Sequence, residues 1–125
     1  MTAKPLVFGR DAQGYNAFAP PPASYSFSAT LASSGNATIT LPGDVARWII
    51  AFSFTPGSSI WVAFNTNAAA PVGATFAATS SELNPGARIL PSTITTSSGT
   101  SANTINLLNS GTGSASIWVG LYASP

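Results

Sequence analysis

From residue 24 onward the chain alternates apolar and polar positions with a period of two, the pattern of strands with one buried face. Tyr25, Phe27, Ala29 and Leu31 alternate with Ser24, Ser26, Ser28 and Thr30. Past Ser33-Ser34-Gly35, Ala37, Ile39 and Leu41 alternate with Asn36, Thr38 and Thr40, so the two runs are expected to pair as a hairpin, closed by Pro42-Gly43-Asp44. Residues 46–54 carry Trp48, Ile50, Phe52 and Phe54 on one face and Arg47, Ile49, Ala51 and Ser53 on the other. With both faces partly apolar, this strand should be central. Thr55-Pro56-Gly57-Ser58 has proline and glycine in the order of a type II turn, and the next run sets Ile60, Val62 and Phe64 opposite Trp61 and Ala63. These two strands are predicted to form a second hairpin.

The pattern loosens over residues 66–85. Ser80-Ser81-Glu82-Leu83-Asn84-Pro85-Gly86 reads as one helical turn with a serine cap, stopped by Pro85-Gly86. Short strands are predicted over 88–90 and 93–95, an exposed loop over the Ser/Thr/Gly-rich span 96–102, and two last strands over 103–108 and 115–123. Ser59-Ile60-Trp61-Val62-Ala63-Phe64 is echoed by Ser116-Ile117-Trp118-Val119-Gly120-Leu121, which implies two similar environments, read as neighbouring strands with Trp61 and Trp118 on one side. Strands at roughly ten-residue spacing with Gly and Pro turns indicate an all-β fold, an antiparallel β-sandwich or jelly roll of about seven to eight strands.

Residues 1–23 break this pattern. Gly9, Gly14 and Ala19-Pro20-Pro21-Pro22-Ala23 make an extended arm, because consecutive prolines favour polyproline II and lack amide donors. The arm could strap back onto its own domain, residues 24–125, or lie on a neighbouring subunit.

Charge changes the picture most. Lys4, Arg10, Asp11, Asp44, Arg47, Glu82 and Arg88 are the only formally charged side chains, 6% of 125 residues, against about 25% in a typical soluble domain. A surface so poor in charge is weakly protected against association. It is either a hydroxyl-rich exterior that meets water through Ser and Thr, or one covered by companions, and so low a charge density favours the second. Four dispersed basic residues make no phosphate-binding footprint, so nucleic acid is not an expected partner. With no run of 18 apolar residues, no membrane is expected either.

Without His or Cys, the usual nucleophile–base pairs and transition-metal ligand sets are absent. The sole lysine, Lys4, lies in the arm, and a glycosidase pair would have to be drawn from Asp11, Asp44 and Glu82. Simpler roles suit these: Asp44 in a turn, Asp11 beside Arg10, Glu82 capping a turn or pairing with Arg88. Asn65, Asn67 and Asn84 could lend neutral oxygens to a calcium ion, but no Asp-rich loop accompanies them. No catalytic, cofactor-binding or metal-binding residue is therefore assigned. Trp48, Trp61 and Trp118 are expected in the core or at interfaces; one exposed beside Asn and Thr would favour stacking on a sugar.

Ile60-Trp61-Val62-Ala63-Phe64-Asn65, Ala70-Pro71-Val72-Gly73-Ala74-Thr75-Phe76-Ala77 and Ser81-Glu82-Leu83-Asn84-Pro85-Gly86-Ala87-Arg88 together resemble stretches of small virion proteins of tailed bacteriophages. The opening Lys4-Pro5-Leu6-Val7, with Arg10-Asp11 and Gly14-Tyr15, and the ending Val119-Gly120-Leu121-Tyr122-Ala123 are similar too. The resemblance implies a non-enzymatic capsid decoration or cement protein on the capsid exterior, with the major capsid protein and copies of itself as partners. The expected contact residues are Lys4, Leu6, Phe8, Arg10, Tyr15 and Phe18 in the arm, together with Arg47 and Arg88, and Arg10, Arg47 and Arg88 are the expected polar anchors. The alternatives are a head-fibre or tail-associated module binding a host surface glycan, and an enzyme acting on cell-wall sugars.

Overall fold

The computed structural model describes residue 3, residues 22–71 and residues 81–124. The alternating runs become antiparallel strands: β1 (Tyr25–Leu31), β2 (Asn36–Thr40), β3 (Arg47–Phe54), β4 (Ile60–Phe64), β5 (Glu82–Leu83), β6 (Ala87–Pro91), β7 (Thr93–Thr96), β8 (Gly99–Ala102), β9 (Thr104–Asn109) and β10 (Ala115–Ala123). One sheet has the order β1-β10-β3-β6, the second β2-β9-β4-β5, and β7 pairs with β8 alone. With the β7–β8 ribbon set aside, eight strands remain, and they pair first with last, second with seventh, third with sixth and fourth with fifth. That is a long folded ribbon wrapped into two facing sheets. The fold is a jelly roll.

The period of two sorts side chains as expected. Trp48, Ile50, Phe52, Ile117, Val119 and Leu121 of one sheet meet Ile60, Val62, Ile105 and Leu107 of the other, all buried, with Leu31 and Leu41 closing the ends. Trp48 is fully buried, donates Nε1–H to the Pro42 carbonyl at 2.9 Å and meets Tyr25 edge-on at 5.5 Å between centroids. β3 is central, between β10 and β6. Of the N-terminal segment, Ala3 is half-buried and packs against the core.

Strand neighbours differ from the sequence reading. β1 and β2 form no hairpin: β1 pairs with β10, and β2 with β9 in the other sheet. The turn between them folds onto Asn109, with Ser34 N–H bonded to the Asn109 carbonyl and Asn109 N–H to the Gly35 carbonyl. β3 and β4 likewise lie in different sheets. The turn at 55–58 has the expected geometry, with Ser58 N–H on the Thr55 carbonyl at 3.0 Å and Gly57 at φ +78°, but it carries the chain across the sandwich. Alternation fixes which side of a strand is buried and is silent on which strand lies alongside. Residue 80 lies outside the described residues, and residues 81–86 hold the short strand β5 instead of a helical turn, while β8 occupies much of the span expected as a loop. Strands therefore number ten among the described residues, against the expected seven to eight. Trp61 and Trp118 point outward from opposite sheets, so their shared pattern marks the same inside-outside register on two sides of the molecule.

Candidate interaction surfaces

The two ends of the sandwich differ. At one end short turns are held by side chains. Asn109, 1% exposed, donates to the Leu31 and Gly113 carbonyls, both at 2.9 Å, and accepts the Gly111 N–H at 3.0 Å. Asn84, at φ +44°, donates to the Ser58 carbonyl at 2.7 Å and accepts the Ile60 N–H at 3.1 Å. Ser33 Oγ–H bonds the Gly111 carbonyl at 2.7 Å. Between residues 55–59 and 109–115 these turns leave a neutral cleft of about 470 Å³, lined by Ser, Thr, Gly, Pro, Asn and Ala. The Ser58 hydroxyl is buried and makes no hydrogen bond among the described residues. The cleft offers hydroxyls and backbone groups and no acid or base.

The other end carries the long connections. There the β7–β8 ribbon is exposed along its whole length and pairs with no other strand among the described residues. An isolated two-stranded ribbon is marginal in water. This one is anchored at its base, where Ser92 N–H bonds the Ala46 carbonyl at 2.9 Å, Asn103 N–H the Ser92 carbonyl at 3.0 Å and Asn103 Nδ2–H the Pro91 carbonyl at 2.6 Å. Asn65, at φ +63°, joins the same corner through its Nδ2–H on Asn103 Oδ1 at 2.7 Å, while its Oδ1 accepts the Thr104 N–H at 2.9 Å. The side-chain oxygens of Asn65 and Asn84, weighed above as calcium ligands, are thus spent on backbone amides. Among the described residues no group of three or more His, Cys, Asp or Glu converges.

Both sheets show apolar side chains on their outer faces. Across one sheet the register lines up Ile89, 60% exposed, with half-buried Ile49 and buried Tyr122. Across the other it lines up Leu83, 49% exposed, with half-buried Trp61 and Leu108. The Trp61 Nε1–H reaches Ser110 Oγ at 3.0 Å on the rim of the cleft. Ile94 on the ribbon is 40% exposed.

Of the expected contact residues, Lys4, Leu6, Phe8, Arg10, Tyr15 and Phe18 lie outside the described residues. Arg47 begins β3 and is exposed. Arg88 is turned inward at the sheet edge, opposite Ile50, and forms an ion pair with Glu82 of β5, with Nε–H on Oε1 at 3.1 Å. That pair bridges the two sheets along the β6/β5 edge, so Arg47 and Arg88 occupy opposite faces of one sheet and make no common patch. At the other edge, Asp44 accepts the Tyr25 phenol, and this hydrogen bond raises the Tyr25 pKa above its ordinary value. The two carboxylates in the described residues therefore sit at opposite edges of the sandwich. The exposure of residues 96–102 was legible in the sequence, their pairing with β7 was not, and neither were the asparagine corners, whose one common mark is Asn beside a turn. No family model, curated protein or solved structure matches the chain.

Proposed function

We propose that the chain is a non-enzymatic structural subunit of a virion, a capsid decoration or cement protein that binds the outer lattice of the major capsid protein of a tailed phage. The observation that carries this reading is the pairing of sparse charge with exposed apolar surface. Arg88 and Glu82 neutralise each other and Asp44 is engaged by Tyr25, while Leu83, Ile89 and Ile94 are exposed on β5, β6 and the ribbon. Such a surface gains most from being covered, through apolar area and backbone hydrogen bonds repeated over many copies. The ribbon adds two uncharged exposed strands next to the long connections, the part of a domain where binding residues concentrate. The jelly roll recurs in viral capsid domains and in lectins, a support by fold analogy alone. Co-sedimentation of purified chain with shells assembled from the encoding phage's major capsid protein tests it. Saturable, stoichiometric binding is expected, weakened by deletion of residues 1–22. No binding at any concentration overturns the reading, and unchanged occupancy of the deletion refutes a role for the arm.

A second reading draws on Trp61, half-buried on an outer face with its indole N–H on the rim of the neutral cleft. A host-glycan module would use such an aromatic beside hydroxyls. It requires saturable binding to host polysaccharide that Trp61→Ala abolishes.

A further inference from the structure

We infer that the β1 edge is a self-association surface, on which β1 of a second copy adds antiparallel, in a register centred on Ser28. The inference deepens the assembly reading by naming one surface, and it is tested on purified protein without shells, so the two can fail separately.

The direction of the backbone groups comes from the bonds already made. The Ser116 carbonyl accepts from Thr55 N–H and the Ser124 N–H donates to the Arg47 carbonyl, so even-numbered residues of β10 face β3 and odd-numbered ones face β1. Their partners Tyr25, Phe27 and Ala29 spend their backbone groups on β10, and Ser26, Ser28 and Thr30 direct theirs away from the sheet. Among the described residues no strand lies on that side. Natural edges are normally blunted by charge, proline, a bulge or shortness. The β6/β5 edge has such guards: the Arg88–Glu82 pair, Pro85, Pro91 and the two-residue β5. The seven-residue β1 has no charged residue, no proline and an unbroken register with β10, and the carboxylate at this edge, Asp44, is held by the phenol of Tyr25 at the start of the strand, outside the stretch 26–30.

Self-complementarity selects the occupant. With Ser28 opposite Ser28 of the second copy, Ser26 meets Thr30 and Thr30 meets Ser26. Each of these three pairs then exchanges both of its hydrogen bonds, and every outward donor and acceptor of Ser26, Ser28 and Thr30 is used. In the same register Phe27 faces Ala29 of the second copy in the closer, non-hydrogen-bonded pairs, large against small on both sides of the axis. Between the sheets this edge also opens into an apolar notch of about 190 Å³ lined by Tyr25, Phe27, Ile39, Val119 and Leu121. It is smaller than the roughly 300–1,000 Å³ of a small-molecule pocket and of a size for a side chain from an added strand.

Sedimentation equilibrium of the full chain over a wide concentration range tests this. A concentration-dependent species of twice the chain mass is expected, and Ser28→Pro should abolish it. Proline removes only an outward N–H there, so the edge strand keeps its β10 ladder and the thermal melt should stay near that of the parent. Because residue 28 faces its own copy, Ser28→Lys and Ser28→Glu should each weaken the dimer several-fold, and an equimolar mixture should restore it. A monomer at every concentration overturns the inference, as does a dimer that survives Ser28→Pro. Failure of the mixed Lys and Glu variants to pair better than either alone overturns the register.

Discussion

Truncating Asn109 to alanine removes the side chain that ties the end of β1 to the β9–β10 turn at the tight-turn end. Its amide donates to the Leu31 and Gly113 carbonyls and accepts the Gly111 N–H, at 2.9, 2.9 and 3.0 Å, from a residue that is 1% exposed. A net intramolecular hydrogen bond contributes about 0.5–1.5 kcal/mol, and a buried group left without a partner costs about 1–3 kcal/mol. Gly111 and Gly113 line the cleft, where water can take over. The Leu31 carbonyl, bonded from within the buried corner, is less accessible to it. Two bonds replaced by water at about 0.5 kcal/mol each and one orphaned carbonyl at about 2 kcal/mol give a loss of about 3 kcal/mol. For a domain of this size that corresponds to a melting temperature lower by roughly 10 °C. Urea denaturation followed by tryptophan fluorescence reads the change directly. Asn109→Asp should be no better, because its oxygens keep the Gly111 contact but set an acceptor against two carbonyls. A loss below about 1 kcal/mol for Asn109→Ala, or a fully stable Asn109→Asp, would refute the idea that this amide holds the turns.

Trp48→Ala empties the centre of the core and strands the Pro42 carbonyl; the expected loss in chemical denaturation is about 3–5 kcal/mol, and one under about 1.5 would contradict the packing described. Arg88→Ala breaks an ion pair whose side chains are 39% exposed, so less than about 1 kcal/mol should be lost, shrinking further in high salt; a larger, salt-insensitive loss would mean the pair does more than bridge the edge. The Tyr25 phenol bonded to Asp44 titrates above the ordinary tyrosine range. A group with a raised folded-state pKa contributes stability that is complete below its unfolded value and lost as pH climbs through the folded one. Asp44→Asn should therefore lower that titration in tyrosinate absorbance and remove a contribution that the parent sheds only in alkali; an unchanged titration contradicts the contact.

Most of the core was legible in the sequence, because a strand with one wet face must alternate. Trp48, Ile50 and Phe52, Ile60 and Val62, and Ile117, Val119 and Leu121 all fall on the buried side their spacing assigns. Pairing was not legible. In a jelly roll β1 lies beside β10, from the far end of the chain, and the runs closest in sequence cross between sheets. A type II turn reads the same whether it joins neighbours in one sheet or arches to the other, as residues 55–58 show. The asparagine corners were hidden for a related reason. Asn65, Asn84, Asn103 and Asn109 carry the composition of exposed loops, and only the fold reveals that Asn103 and Asn109 are buried. β8 pairs through its backbone, which Ser, Thr and Gly leave unmarked. Of the candidate contacts, the link between Glu82 and Arg88 was readable as a pair, yet only the fold shows that it joins the edges of two sheets.

Hydrogen exchange on the chain, free and then bound in the intact particle, bears most directly on whether this charge-poor jelly roll is covered by companions. The ribbon amides at 93–102 lie on strands exposed throughout and should exchange rapidly in the free protein. If the proposed virion role holds, in the particle they should slow by orders of magnitude, together with those beside Leu83 and Ile89. Equal exchange in the two states would leave these surfaces facing water and contradict the account.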